Sequence, residues 1–193
     1  MPSPLAALLN AASRNRLLSL SFPLDDGPNS SMLINELHAH EAVSRDFVYT
    51  ATVLSDDTEI ELKTVLAKLV CIKLLREDGS HRLFTGYCFE FRLLKIENSL
   101  AVYEMVLRPW FAVLSLRRDY RTFVEKTIAD QTKELFNQTG LSRFDIRTRE
   151  SDPARNYSCQ YNETIHNYLH RRFEEMGWHY WYEHSAKGHT LIL

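Results

Sequence analysis

Residues 155–193 read RNYSCQYNETIHNYLHRRFEEMGWHYWYEHSAKGHTLIL, and several structural patterns follow one another along them. Tyr157, Cys159 and Tyr161 alternate with more polar residues, which is typical of a strand. A helix is predicted next, because apolar residues then recur at helical intervals along one face. Those residues are Ile165, Leu169, Phe173 and Met176.

The ends of this helix carry capping signals. Asn162 is a favoured N-cap residue type, and Gly177 stands where a helix commonly ends. A hairpin is predicted beyond the helix, with its turn at Lys187–Gly188. The aromatic residues of the hairpin are Trp178, Tyr180, Trp181 and Tyr182. We interpret this group as the core of a hairpin that covers the helix, rather than as a binding platform.

The two ends of the chain bear on whether it is part of a longer protein and whether it carries a signal peptide. The chain stops inside an apolar run, Thr190–Leu193, without a turn or a polar tail. We therefore expect residues 1–193 to be the front part of a larger protein. At the other end, Met1–Ala12 lacks the basic start and the long apolar run of a Sec signal peptide, so none is expected.

The first 110 residues mainly predict β-structure. Alternating apolar residues and turn signals mark strands at 16–23, 32–43, 47–54, 70–74, 82–97 and 100–108. Helical spacing between Leu62 and Leu69 predicts one short helix among them. Pro109 ends the last strand, because proline has no N–H for a β-ladder. A barrel or a sandwich is expected, and a closed barrel would remove exposed edges.

Residues 110–139 predict helices. Trp110–Leu116 is a short apolar segment, and Thr127 stands three residues before Asp130 in a capping-box spacing. The helix that follows is expected to run to about Gln138, with Gly140 as its C-terminal cap. A basic cluster lies between the two helices, at Arg117, Arg118 and Arg121. We interpret the cluster as a solvated helix end rather than as an anion or partner contact.

Composition gives no support to binding of nucleic acid or of a membrane surface. The chain has 23 basic and 25 acidic residues, a net charge of −2, which does not support binding to nucleic acid. Its three cysteines are widely spaced and lack a C-x-x-C pair, so we expect reduced, buried thiols in a cytoplasmic protein.

The clearest candidates for chemistry are two histidines of the predicted helix. His166 and His170 are four residues apart, so their rings could share a face and bind a metal ion, with Glu163 and Glu174 beside them. The zinc-peptidase motif requires glutamate directly after the first histidine, where Asn167 stands. G-x-S-x-G and phosphate-loop motifs are also absent from the sequence. We therefore expect no catalytic residue, no metal site and no cofactor.

Two blocks of residues carry a family resemblance. The first is Leu107–Trp110, Leu114–Asp119, Arg121, Phe123 and Lys126–Thr127. The second is Arg155, Tyr157, Cys159–Tyr161, Glu163, Tyr168–Leu169, Arg171, Phe173–Glu174, Gly177, Tyr180 and Tyr182–His184. Together they resemble the VgrG proteins of type VI secretion and the related hub proteins of contractile phage tails. The positions we assign to this motif, in structural roles, are Arg108, Pro109, Trp110, Arg121, Arg155, Tyr157, Gln160, Tyr161, Glu163 and Gly177.

The resemblance implies a fold and a set of partners. It implies an α+β fold, mainly β, with a small β-barrel tube domain at 1–109 and a partial mixed α/β domain at 110–193, truncated at its C-terminal edge. It further implies a homotrimer in the full-length protein that caps the hexameric Hcp tube. Effector proteins and the spike tip would attach through missing C-terminal regions. Such a protein assembles in the bacterial cytoplasm and is secreted through the type VI apparatus.

The chain departs from the family pattern and leaves alternatives open. Thr164 and Ile165 stand where serine and aspartate are more typical, a change expected to affect the helix cap and not the fold. In the family, two barrels of each chain build the ring that caps the tube, and only one of them is expected within residues 1–193. The isolated chain should therefore be monomeric or weakly associating. A contractile phage tail or baseplate hub is the main alternative function. A metal-dependent hydrolase using His166 and His170 is the least favoured.

Overall fold

The computed structural model of the chain describes residues 16–97, 99–149 and 151–193. The expectation about a signal peptide at Met1–Ala12 lies outside these residues. The chain forms two compact units that are discontinuous in sequence. The first unit contains the described residues up to Glu41, together with Phe47–Arg108 and His184–His189. The second unit contains Ala42–Asp46, Pro109–Glu183 and Thr190–Leu193. The division into domains 1–109 and 110–193 stays a prediction.

The first unit is built on one six-stranded antiparallel sheet. Its strands are β1 (Leu18–Ser21), β2 (Leu33–His40), β3 (Val48–Ser55), β4 (Leu69–Leu75), β5 (His81–Glu97) and β6 (Leu100–Arg108). They are ordered β1-β4-β5-β6-β3-β2, and the sheet curls into a half-barrel. The β5–β6 ladder changes register between Cys88 and Glu90 and again between Leu93 and Lys95. Such bulges bend a strand and increase its twist, which favours a curled sheet.

The alternation that predicted β3 also sets its place in the sheet. Buried and half-buried residues alternate along the whole strand. Ala51 and Val53 are fully buried and lie opposite Met105 and Tyr103 of β6. Close cross-strand pairs of this kind stabilise a sheet. The predicted fold class, α+β and mainly β, is confirmed.

The second unit combines a 3-10 helix, two α-helices and several strands. Its longest segment contains the 3-10 helix Trp110–Ser115, followed by β7 (Arg118–Lys126), α1 (Ile128–Phe136), β8 (Phe144–Asp145), β9 (Arg155–Thr164) and α2 (Ile165–Met176). A hairpin of β10 (Trp181–Ser185) and β11 (Gly188–Ile192) follows, and its tip belongs to the first unit. β7 pairs with β9, and β11 pairs in parallel with β8. No helix among the described residues is both long and apolar enough to span a membrane.

The interpretation of the basic cluster as a helix end was wrong. Arg118 and Arg121 lie in the strand β7, and only Arg117 directly follows the C-cap of the 3-10 helix, Leu116. Aromatic and β-branched residues follow each other in this segment and favour a strand. Helix α1 also ends earlier than predicted, at Phe136, with Asn137 as its C-cap, so Gly140 does not cap it.

Aromatic rings fill the core of the second unit. Trp110 meets Phe136 edge to face with ring centroids 4.8 Å apart, and Phe111 meets the same ring at 5.5 Å. Leu135 beside them is fully buried. Thr127 caps α1 as predicted, because its side chain accepts a hydrogen bond from the Asp130 N–H at 3.0 Å.

Truncation of this core should destabilise the protein. We expect Leu135→Ala to lower the free energy of unfolding by about 2–5 kcal/mol, because it leaves a cavity at a fully packed position. Leu116, with 76% of its surface exposed, provides the matched control. Leu116→Ala should stay within about 0.5 kcal/mol of the parent in urea denaturation. Equal losses in the two variants would contradict the assigned core.

Candidate functional site

The two-stranded ribbon of β7 and β9 carries most of the family-motif residues of this unit. Its register places Tyr120 opposite Tyr161 and Val124 opposite Tyr157. These four side chains are 61–75% exposed, and the rings of Tyr120 and Tyr161 meet edge to face at 5.3 Å. We call this surface the ribbon face; its residues are Tyr120, Thr122, Val124, Tyr157, Cys159 and Tyr161. Large exposed apolar groups of this kind are typical of interaction surfaces.

The opposite side of the ribbon is buried. Phe123, Ser158 and Gln160 are 0–6% exposed. Phe123 stacks on Tyr168 of α2 with ring centroids 5.7 Å apart, and the Ser158 hydroxyl accepts a hydrogen bond from Arg172 at 3.2 Å. The ribbon is therefore anchored through one side only. Cys159 lies on the other side and is half-buried, so it departs from the expectation that all three thiols are buried.

Charged motif residues pair within the unit. Arg121 lies 3.4 Å from an Asp119 carboxylate oxygen and 3.6 Å from one of Glu134. Arg155 binds Glu175 at 2.6 Å. These contacts support a structural role for both arginines, because their charges are already matched inside the fold.

A β-bulge orients the next motif residues. Asp119 pairs with Glu163 whereas Tyr120 pairs with Tyr161, so Asn162 is the extra residue of β9. Asn162 adopts a left-handed conformation, with φ of 49°. This conformation favours glycine and, among other residues, asparagine. The Gln160 amide then donates to the Glu163 carbonyl at 2.9 Å.

Helix α2 begins two residues later than predicted, after the bulge. The N-cap of α2 is Thr164, whose hydroxyl accepts a hydrogen bond from the Asn167 N–H at 3.1 Å. Asn162 is therefore not the N-cap. Threonine is itself a good capping residue, which explains why the departure from the family pattern at this position is compatible with the helix.

Gly177 ends α2 as predicted. It has φ of 67° and ψ of 20°, a left-handed conformation that glycine adopts without a steric penalty. Its N–H bonds the Glu174 carbonyl at 3.1 Å, and the Trp178 N–H bonds the Phe173 carbonyl at 2.9 Å. These two bonds form a Schellman motif.

The remaining motif residues flank the start of the 3-10 helix. Pro109 is its N-cap residue, and its carbonyl accepts a hydrogen bond from the Ala112 N–H at 3.1 Å. Trp110 is 1% exposed. In the first unit, the Arg108 guanidinium lies over the Phe89 ring, 6.0 Å from its centroid.

The two histidines of α2 lie side by side. The ring centroids of His166 and His170 are 4.4 Å apart. Both rings pack on Phe111, at centroid distances of 4.5 Å and 5.5 Å. The rings therefore share one face of the helix and rest on the aromatic core.

The carboxylate beside these histidines is not one that the sequence suggested. Glu163 binds Arg171 at 2.7 Å and Glu174 lies 3.9 Å from Arg45. The neighbouring carboxylate is Asp46, which lies 120 positions before the first histidine. No local pattern connects residues so far apart, so sequence analysis could not find it.

Hydrogen bonds hold this cluster together. Asp46 Oδ2 lies 2.9 Å from His166 Nε2, and the Tyr182 hydroxyl donates to Asp46 Oδ1 at 2.6 Å. His170 Nε2 lies 2.9 Å from the Tyr180 hydroxyl. Burial lowers the pKa of His170 to about 4, and the neighbouring His166 contributes to the decrease. His170 is therefore neutral at neutral pH.

Another histidine, His184 of the second motif block, is half-buried in the first unit. His184 Nδ1 accepts a hydrogen bond from the Thr85 N–H at 3.1 Å, so its proton lies on Nε2. Nε2 lies 3.0 Å from the Tyr49 hydroxyl, which in turn donates to Glu41 at 2.5 Å. Burial lowers the pKa of His184, with Arg82 acting in the same direction and Glu41 opposing it.

A solved structure shares the fold of this chain. The chain superposes on a component of the Escherichia coli type VI secretion system, the c3393 protein, with a TM-score of 0.76 and 20% identity. The match covers 92% of this chain and 49% of that one, which is described as structurally similar to phage tail proteins gp27 and gp5. The chain therefore shares its fold with that secretion component.

Sequence comparison gives the family. The chain belongs to the phage tail baseplate hub (GPD) family, which it matches over residues 40–193. It is 28% identical over 182 residues to the type VI secretion spike protein VgrG1b of Pseudomonas aeruginosa, and 29% identical over 178 residues to VgrG1a of the same species. These matches cover 94% and 92% of this chain but only 24% and 27% of the two relatives. The predicted resemblance is confirmed.

Two substitutions at the bulge should differ in their effect on stability. We expect Asn162→Val to lower the free energy of unfolding by about 1–3 kcal/mol, because a β-branched residue is strained at positive φ. Asn162→Gly should remain within about 0.5 kcal/mol of the parent, because glycine adopts this conformation freely. Urea denaturation measures both. Similar losses for valine and glycine would contradict the bulge.

Acid should destabilise the protein through His184. An unfolded histidine gains a proton below its ordinary pKa of 6.5, whereas His184 in the folded protein resists protonation. Its contribution to stability is therefore complete above pH 6.5 and is lost as the pH falls toward the lower, folded-state pKa. We expect the His184 ring signal in NMR to titrate below pH 6.5. We also expect His184→Gln to flatten the decline of unfolding free energy with acid, and an unchanged slope would contradict this.

Proposed function

We propose that this chain is the hub region of a type VI secretion spike protein. In this proposal three copies of the full-length protein assemble, cap the Hcp tube and carry the needle and its effectors through regions outside residues 1–193. The protein assembles in the bacterial cytoplasm and leaves through the type VI apparatus. The observation that carries the proposal is the family match over residues 40–193, together with the spike proteins among the relatives.

The geometry supports assembly rather than catalysis. The charged motif residues Arg121, Arg155 and Glu163 are paired inside the fold. The ribbon face instead presents exposed aromatic rings, which subunit interfaces commonly bury. A neighbouring chain of the hub is the occupant that we assign to this face. The proposed function is then mechanical, and it depends on complementary surfaces between neighbouring chains.

A contractile phage tail or baseplate hub is the second candidate. The family that the chain matches is named for the phage tail baseplate hub, and that observation favours this alternative. Both candidates share the fold and differ in the tube that the hub caps. The tube protein is therefore the partner that separates them.

Tube binding tests the proposal. Purified chain is mixed with preformed Hcp tubes or with phage tail tubes, and the pellets and tube ends are examined by sedimentation and electron microscopy. For a spike protein we expect density at the ends of Hcp tubes and none on phage tubes. The reverse result would identify a phage hub, and binding to neither would contradict both functions.

Two variants control this experiment. Tyr157→Ser combined with Tyr161→Ser should reduce occupancy of the tube ends, because neighbouring hub chains would no longer bury the ribbon face. Leu116→Ser removes an equally exposed apolar side chain outside that face and should bind like the parent. Chain without tubes should stay in the supernatant as a monomer or a weakly associating species.

A further inference from the structure

We propose that Asp46, His166 and His170 form a binding site for a divalent transition-metal ion, with Zn²⁺ as the probe of choice. The inference goes beyond the hub function and does not depend on it. It also departs from the sequence-based expectation of no metal site. The reason for the difference is Asp46, which the fold brings beside the histidine pair.

The ligand atoms are close enough for one ion. One nitrogen or oxygen from each of the three residues lies within 4.8 Å of the others, and Asp46 Oδ2 and His166 Nε2 are 2.9 Å apart. An ion with bonds of about 2.1 Å holds tetrahedral ligands roughly 3.4 Å apart. Small rotations of the imidazole rings therefore suffice. Two imidazoles and a carboxylate are also a ligand set that zinc commonly uses.

The surroundings of the ligands are those of a metal centre. The Tyr182 hydroxyl donates to Asp46 Oδ1 and leaves Oδ2 directed at His166. The flat face of Phe111 supports both imidazole rings. Outer contacts of this kind fix the orientation of metal ligands and increase affinity.

The cluster is also accessible. The side chains of His166 and Asp46 keep 22% and 17% of their surface exposed, so an ion can enter from solvent. Three protein ligands leave one coordination position for water.

A bound ion would act as a cross-link within the second unit. Asp46 belongs to the segment Ala42–Asp46, whereas both histidines belong to α2. The segment already bonds the β10 region through the Ser44 N–H and the Tyr180 carbonyl, at 2.8 Å. Coordination would add a second and stronger connection and would replace the hydrogen bond between Asp46 and His166.

Calorimetry on tag-free protein tests the site. We expect one Zn²⁺ per chain in isothermal titration, and a melting temperature higher by roughly 5–10 °C at about 100 times the dissociation constant. His166→Gln and His170→Gln should weaken binding about 100-fold or more, and Tyr182→Phe about 10-fold. His179→Gln alters an exposed histidine near the same helix and should bind like the parent.

Each result of the zinc titration supports or contradicts the proposed metal site. Binding of one ion that is lost in the two histidine variants and retained in His179→Gln would support the site. Absence of stoichiometric binding would overturn it, as would binding that the two histidine variants leave intact. If a histidine variant fails to fold by circular dichroism, Asp46→Asn provides the deciding measurement. Tube binding is measured separately, so failure of the metal site leaves the proposed function untouched.

Discussion

The antiparallel pairing of β7 with β9 is the interaction on which the second unit depends. The two strands are separated in sequence by α1, β8 and their loops, so their pairing closes that whole segment. One side of the ribbon provides the surface against which α2 packs, through Phe123 and Tyr168. The bulge at Asn162 then turns the chain so that α2 begins at Thr164. The helix, the histidine pair and the hairpin all follow from this point.

Local patterns predicted much of the chain. The long strands β5 and β6 and the apolar stripe of α2 have strong periodicity, and Gly177 has a conformation that glycine favours. Sequence reasoning failed for β7, whose strand depends on a partner some 40 positions later, as its register with β9 shows. It also failed at the start of α2, because Asn162 and Thr164 are both good capping residues and only the bulge distinguishes them.

The residues that we assign to the family motif have two kinds of environment. Arg121, Arg155 and Gly177 satisfy charges or backbone geometry inside the fold. Tyr157 and Tyr161 instead contact little of their own unit and remain exposed. Spacing alone could not separate the two sets, because exposure depends on which side of the ribbon faces the helices. The exposed set is the part of the motif that is available to another molecule.

The discontinuity of the two units affects how the chain can be divided. The backbone passes from one unit to the other five times, at 41/42, 46/47, 108/109, 183/184 and 189/190. A gene cut after Arg108 would deprive each product of a segment that completes its core. A shortened protein that keeps one unit whole can therefore lose residues only before Ala42 or after His189. Swapping one unit between relatives would require exchanging three separate pieces of sequence. A single crossover cannot exchange either unit without also exchanging part of the other.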